Sequence, residues 1–248
     1  EPQQAKELAA LSNDRLAEAC RKHPTRFAGY AACAPQDPEA AAQELQRGVR
    51  TLGLKGAIIN SHTKGEYLDD KKFWPIFESL QALDVPLYLH PRDPAPSVIG
   101  SNLPGFRVGW GFAVECGTHV LRLINSGVFD QFPKLKLVVG HMAEGIPFYL
   151  PRMDNRYLWE VEAGGLPKWK RLPSEYFNEN VWVCTSGMNY AQPLTMTLQT
   201  VGADRILFAV DYPYEVGRGS VKAMDEMPIS EVDKNKIYHL NTERLFKL

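Results

Sequence analysis

The sequence predicts an α/β fold in which parallel strands alternate with helices that cover them. Two observations indicate this fold: short apolar runs recur along the chain, and segments with helical periodicity separate them. A continuous apolar run is typical of a parallel strand buried on both faces. A strand, a helix and a further strand in that order build a parallel sheet covered by helices.

Six apolar runs have the length of buried strands. They cover residues 27–35, 54–60, 85–91, 135–141, 181–186 and 205–211. A closed (β/α)8 barrel needs eight strands. The residues by themselves therefore leave two architectures open: an open doubly wound sheet, or a barrel from which two strands are missing.

The helical segments lie between these runs and carry recognisable end signals. They cover residues 5–24, 37–53, 68–84, 113–133, 146–162, 192–202 and 231–248. Asp37 is suited to cap the second helix, with Pro38 at its first position and Gly53 after its end. Pro24 is expected to stop the first helix, and Pro75 to kink the third.

Composition narrows the class of protein. The chain has 248 residues, 44% of them hydrophobic, and a net charge of -1. These values fit one domain over residues 1–248, with no visible footprint for nucleic acid or an anionic membrane. The apolar runs are too short to span a bilayer. Four cysteines without CxxC spacing predict free thiols in a reducing compartment, and we expect the cytoplasm.

Three of the apolar runs end in a residue that can bind a metal ion. These residues are His90, His141 and Asp211. The C-terminal ends of parallel strands form the active-site face of a (β/α) barrel. Imidazole and carboxylate groups that meet there suit a divalent metal ion. Each residue alone is more typical of a polar strand end, but the three together favour a metal site.

Further polar residues lie near these strand ends. Glu144 is expected to accept a hydrogen bond from the imidazole of His141. Arg152 is suited to grip a substrate carboxylate with two hydrogen bonds, although a surface ion pair is an equal alternative. Tyr214 is suited to donate to a substrate oxygen or to anchor a loop. Asn60, which also ends a strand, is a candidate for contact with the substrate.

A long segment rich in proline, glycine and aromatic residues, 93–112, follows His90. Loops of this length inside a compact domain are usually functional. Its last residue, Phe112, is a further candidate for substrate binding. No GxSxG, GxGxxG or GxxxxGK[ST] motif is present. Their absence argues against a serine nucleophile at Ser186, a dinucleotide site and P-loop chemistry.

Four motifs together resemble a known family. LDVPLYLHPRDP, FDQFPKLKLVVGHMAEGIPFYLPRMD, VWVCTSG and RILFAVDYPYE are similar to the amidohydrolase-related decarboxylases, which include the γ-resorcylate, 2,3-dihydroxybenzoate and 5-carboxyvanillate enzymes. The resemblance runs nearly end to end. It implies an amidohydrolase-like (β/α)8 barrel with one divalent metal ion, Mn²⁺ or Zn²⁺, and a homo-oligomer, either a dimer or a tetramer. It also implies non-oxidative loss of CO₂ from a hydroxylated aromatic acid.

The resemblance also implies roles for individual residues. His90 and Asp211 match metal ligands of the family. His141 and Glu144 match its catalytic histidine and the carboxylate partner of that histidine, and Asp211 also matches the acid that protonates the ring carbon. Arg152 and Tyr214, named above, match positions that contact the substrate.

One departure from the family pattern concerns the N-terminus. The family begins with a strand that carries a metal-binding glutamate, followed by a helix and a second strand, and this chain has no counterpart of them. We therefore expect that the N-terminal portion with the first two strands is missing.

Two other functions remain open at this stage. One is a metal-dependent hydrolase that opens a lactone or an amide with metal-activated water. The other is a non-catalytic barrel remnant that binds a partner. Release of CO₂ rather than ring opening would exclude the first, and binding of a divalent metal ion would argue against the second.

Overall fold

The computed structural model describes residues 1–98 and 103–248. The chain divides into two compact units: residues 1–137 with Lys247, and residues 138–246 with Leu248. The division does not test the expected single domain over residues 1–248, which stays a prediction. Within the described ranges, no helix combines the length and apolar character needed to cross a membrane.

The first unit contains three parallel strands, β1 (Ala31–Ala32), β2 (Ala57–Asn60) and β3 (Leu87–His90). β2 lies between the other two, and its register places Asn60 opposite His90. The helices of this unit are Pro2–Lys22, Pro38–Arg50, Trp74–Leu83, Phe112–Asn125 and Val128–Gln131, with a 3₁₀ turn at Lys71–Phe73 and a π-helical turn at Arg107–Gly111.

The remaining strands are β4 (Leu137–Val139), which begins at the boundary between the units, β5 (Val181–Cys184) and β6 (Ile206–Leu207). β5 and β6 are parallel, with Val183 opposite Ile206. The helices of the second unit are Ile146–Glu162, Pro173–Asn180, Ala191–Val201, Gly217–Asp225, Glu231–Asn235 and Asn241–Phe246, with a 3₁₀ turn at Ala203–Arg205 and a π-helical turn at Lys236–Leu240.

All six predicted strands are present among the described residues, and helices follow them as predicted. The N-cap prediction is also confirmed, because the Asp37 side chain accepts a hydrogen bond from the backbone N–H of Ala40 at 3.1 Å. The predicted kink at Pro75 is wrong, since the helix begins at Trp74 and the proline lies in its first turn. A proline there interrupts no hydrogen bond of the helix.

The apolar runs overestimate strand length. The last run continues to Asp211, but β6 ends at Leu207. The sequence also misses the helices Pro173–Asn180 and Gly217–Asp225. Both are short and carry few apolar residues, so their periodicity is weak. The segment 113–133, predicted as a helix with a terminating turn, contains the end of one helix and a second short helix, separated at Gly127, whose φ is 80°.

β1 is completed by a side chain from the first helix. Asn13 is 1% exposed, and its amide oxygen accepts a hydrogen bond from the backbone N–H of Ala32 at 2.7 Å. Its amide nitrogen donates to the Ala32 carbonyl at 3.1 Å and to Glu44 at 2.7 Å. The Asn13 amide thus satisfies both backbone groups of Ala32, as a neighbouring strand would.

We expect Asn13→Leu to lower the free energy of unfolding by about 2–6 kcal/mol, because both Ala32 backbone groups lose their partner and each costs about 1–3 kcal/mol. Urea unfolding measures the change. Ser12→Ala, at the exposed neighbouring position, is the control. A loss no larger than that of the control would contradict this account of β1.

Candidate active site

β2 and β3 place two predicted site residues side by side. Asn60 and His90 are the last residues of these strands and pair in register. The Nδ1 atom of His90 lies 2.6 Å from the carbonyl oxygen of Pro91. A carbonyl only accepts, so we assign the proton to Nδ1, which leaves Nε2 with a lone pair. Within the described residues, Nε2 has no hydrogen-bond partner. An imidazole held in this way is suited to bind a metal ion.

The loop after His90 is held by His62. The His62 carbonyl accepts from the Arg92 guanidinium at 2.9 Å, and its Nε2 lies 3.0 Å from the Asp93 carbonyl. Its Nδ1 accepts from the backbone N–H of Gly65 at 2.9 Å. Both ring nitrogens are therefore occupied, and the residue is 7% exposed. His62 therefore has a structural role, because these contacts hold the loop after His90.

The predicted functional loop over 93–112 lies partly outside the described residues, at positions 99–102. Its end forms the π-helical turn Arg107–Gly111. Phe112 then begins a helix and is half-buried, with the Arg107 guanidinium carbon 5.5 Å from the centre of its ring.

His141 begins a backbone turn of unusual hand. His141, Met142, Ala143 and Glu144 have φ values of 50°, 53°, 53° and 56°. They form one left-handed turn, which ends at Gly145 with a φ of 78°. Left-handed conformation costs an L-residue about 1–2 kcal/mol. Such strain persists where the surrounding structure imposes it, and it clusters at functional sites.

The turn brings the two predicted partners into contact. His141 Nδ1 lies 2.8 Å from Oε1 of Glu144, whose side chain is only 2% exposed. His141 Nε2 lies 3.7 Å from Oδ2 of Asp211. The backbone N–H of His141 donates to the Ser186 hydroxyl at 3.2 Å. The ring therefore lies between two carboxylates, with one hydrogen bond to the buried one.

The surroundings shift both titrating groups of this pair. Burial opposes a positive charge on His141, but the hydrogen bond and charge of Glu144, with the charge of Asp211, outweigh burial and raise the pKa above its usual value. For Glu144, burial itself raises the pKa, although His141 opposes the shift. The net effect favours the proton on the histidine.

Sequence reasoning missed two residues that support His141. Ser186 holds its backbone, as described above. Gly187 has a φ of 65°, and a Cβ atom there would lie 3.1 Å from Cδ2 of the His141 ring. In the sequence, these two residues are marked by TSG, which directly follows the C-terminal end of β5. The sequence contributes to the family resemblance and raises the question of a serine nucleophile, but neither indicates a contact with His141.

Asp211 lies near His141. The prediction that Asp211 ends a strand is wrong. β6 stops at Leu207, and Asp211 has a φ of 66° in a turn. Its carbonyl accepts from the backbone N–H groups of Tyr214 and Glu215 at 2.9 and 3.1 Å. The turn, rather than the strand, aims the carboxylate.

Two predicted substrate-binding side chains are exposed. Tyr214 is 84% exposed, so it anchors no loop within the described chain. Arg152 is exposed on the helix Ile146–Glu162, and its guanidinium has no ion-pair or hydrogen-bond partner there among the described residues. Both side chains are available to a ligand, and their roles stay predictions.

The donor atoms of His90 and Asp211 fit a divalent cation, since one offers an unpaired imidazole nitrogen and the other a carboxylate. In the part of the chain that the structure describes, no group of three or more His, Cys, Asp or Glu side chains is placed to hold a metal ion. The two-ligand set itself stays a prediction.

Comparison with known proteins identifies the class. The amidohydrolase family pattern matches residues 2–248, so the chain belongs to the amidohydrolase family. The predicted family resemblance and fold class are thereby confirmed, in favour of the amidohydrolase-like barrel rather than the doubly wound sheet.

Particular relatives are decarboxylases. γ-Resorcylate decarboxylase of Polaromonas sp. is 43% identical over 98% of this chain and 77% of its own length. The crystal structure of a 2,6-dihydroxybenzoate decarboxylase in complex with 2,6-dihydroxybenzoate has a TM-score of 0.93 and 41% identity, over all of this chain and 79% of that one. The 5-carboxyvanillate decarboxylase of Novosphingobium aromaticivorans, solved with manganese and 4-hydroxy-3-methoxy-5-nitrobenzoic acid, has a TM-score of 0.94 and 42% identity, over all of this chain and 72% of that one.

Gly187→Ala tests whether the glycine makes room for the His141 ring. We expect it to lower stability by about 1–2 kcal/mol through its positive φ, and to shift the NMR signals of the His141 ring. Gly127→Ala is the matched control, because its φ is 80° and a Cβ atom there meets nothing within 4 Å. An unchanged His141 signal in Gly187→Ala, or an equal change in Gly127→Ala, would refute the close approach.

Proposed function

We propose that this protein is a carboxy-lyase that removes CO₂ from a hydroxylated benzoate without oxidation. The observation that carries the proposal is the similarity over the whole chain to a decarboxylase solved with 2,6-dihydroxybenzoate. The sequence prediction of a metal-dependent decarboxylase agrees with the names of the relatives, which are γ-resorcylate decarboxylases at 39–43% identity. We take a dihydroxybenzoate as the substrate class.

We also propose that a divalent metal ion, Mn²⁺ or Zn²⁺, takes part. Manganese is bound in two decarboxylase structures that are 40% and 42% identical to this chain. His90 would offer Nε2 and Asp211 its carboxylate. When bound, the cation supplies positive charge that holds the carboxylate and the adjacent phenolic oxygen of the substrate.

Side chains of this chain carry out the proton transfers. Asp211 delivers a proton to the ring carbon that carries the carboxylate. The bond between that carbon and the carboxylate then breaks, its electron pair returns to the ring, and CO₂ leaves. His141 lies 3.7 Å from Asp211 and holds a proton against Glu144. It is therefore placed to restore the proton of Asp211 after turnover.

Substrate binding is proposed for four further side chains. The exposed guanidinium of Arg152 is suited to a bidentate contact with a carboxylate or an adjacent oxygen. Tyr214 is proposed to donate to a substrate oxygen. Asn60 and Phe112 are proposed to line the pocket beside His90, with which Asn60 pairs in register.

We further propose a cytoplasmic homo-oligomer. Cys20, Cys33, Cys116 and Cys184 form no disulfide within the described residues, and this supports a reducing compartment. Exposed apolar side chains, among them Phe106, Val108 and Trp110, support association of copies.

The decisive experiment uses 2,6- and 2,3-dihydroxybenzoate and 5-carboxyvanillate in D₂O with added Mn²⁺. We expect release of CO₂ from at least one of them, with deuterium at the carbon that lost the carboxylate, because a solvent-derived proton replaces it. Mass spectrometry of the product measures the label. Turnover of a lactone or amide with no CO₂ from the three acids would instead support the hydrolase alternative.

Two histidine variants separate metal ligation from proton transfer. We expect His90→Ala to lose bound metal, because a primary ligand is removed. We expect His141→Asn to keep the metal and lose turnover by roughly 100-fold or more. Elemental analysis and steady-state rates measure the two effects, with the exposed His239 replaced by Ala as the control. Loss of metal from His141→Asn would make His141 a ligand and reverse the assignment.

A further inference from the structure

A buried carboxylate lies outside the proposed chemistry. Glu115, on the helix Phe112–Asn125, is completely inaccessible to solvent. A carboxylate in such a place is costly unless hydrogen bonds satisfy it. The hydrogen bonds of Glu115 offset this cost, and they show which parts of the chain the residue holds.

Three donors point at this carboxylate. The Ser61 hydroxyl donates to Oε1 at 2.8 Å. The Tyr67 hydroxyl donates to Oε2 at 2.8 Å, and the backbone N–H of Ala95 donates to the same oxygen at 3.2 Å. The three donors come from two different loops, so Glu115 ties both loops to its helix.

A neighbouring histidine fixes the direction of the Ser61 contact. The backbone N–H of Leu68 donates to Nε2 of His119 at 3.0 Å, so Nδ1 carries the ring proton and donates to Ser61 Oγ, 3.0 Å away. Ser61 must then direct its own proton to Glu115. Burial, reinforced by Arg122 and His62, lowers the pKa of His119 to about 3, which keeps the ring neutral.

The two loops are those that follow β2 and β3. Ser61 directly follows Asn60, with a φ of 37°. Ala95 lies in the loop after His90, whose Pro91 carbonyl holds the His90 ring. On the same helix, the Cys116 thiol lies 3.6 Å from the carbonyl oxygen of Leu89, just before His90.

We propose that Glu115 is a positioning residue that fixes the loops directly after Asn60 and His90, and so sets the His90 imidazole for metal binding. The proposal rests on the proposed role of His90 as a ligand. Glu115 touches neither substrate nor metal in this account. It acts through Ala95 and Ser61.

Glu115→Ala removes all three acceptor contacts. We expect faster hydrogen exchange in the metal-free protein over residues 61–68 and 91–98, because both loops lose their hydrogen bonds to Glu115. We expect Mn²⁺ binding to weaken by about tenfold or more, as is usual when a group that orients a metal ligand is lost. Glu115→Gln keeps the volume and one acceptor oxygen, and we expect it to lie between Glu115→Ala and the wild type in both measurements.

Two controls separate positioning from stability. Tyr67→Phe removes one hydrogen bond of Glu115 but leaves Ser61 and Ala95 tied. Ser79→Ala removes a buried hydrogen bond to Ala42, away from both loops. We expect exchange over 91–98 and Mn²⁺ affinity of both controls to match the wild type. Exchange is read by mass spectrometry, and free Mn²⁺ by electron paramagnetic resonance.

Equal exchange over 91–98 in wild type and both Glu115 variants would overturn the proposal. Faster exchange there in Ser79→Ala, or unchanged Mn²⁺ affinity despite loosened loops, would overturn it as well. Failure of the wild type to bind Mn²⁺ would overturn the proposed function instead, and the exchange comparison would still decide whether Glu115 holds the loops.

Discussion

The hydrogen bonds on the two ring nitrogens decide what each buried or half-buried histidine of this chain is able to do. His119 and His62 use both nitrogens within the protein, so neither ring has a lone pair or proton left for a ligand. His90 and His141 each use Nδ1 in a hydrogen bond and direct no hydrogen bond of Nε2 to the described residues. The candidate chemistry depends on these two remaining nitrogens.

The partner of Nδ1 then separates the two reactive rings. A backbone carbonyl, as on His90, fixes the orientation of the ring and directs Nε2 away from that contact, where it suits a metal. A buried carboxylate, as Glu144 provides to His141, stabilises the protonated ring. The left-handed turn after β4 makes that contact, because it brings a residue three positions along the chain back to the ring. The strained left-handed turn thus places Glu144 where it stabilises the proton on the His141 ring.

Local patterns predicted much of this arrangement. Strand ends placed Asn60 and His90 together, and the spacing of His141 and Glu144 predicted their contact. Asp211 was placed wrongly, because an apolar run does not report where backbone pairing stops. Gly187 and Glu115 were not predicted, since their importance comes from contacts between residues distant in sequence. The TSG sequence marks Gly187 but does not show that it faces the His141 ring, and a glutamate that binds two loops has no local sequence signature.

The division of tasks between His90 and His141 is the central claim, and anomalous X-ray scattering tests it most directly. Crystals grown with Mn²⁺ would be measured above the manganese absorption edge. The account predicts an anomalous peak at bonding distance from Nε2 of His90, with His141 outside the coordination sphere. A peak bonded to His141, or one that leaves His90 unbound, would contradict it.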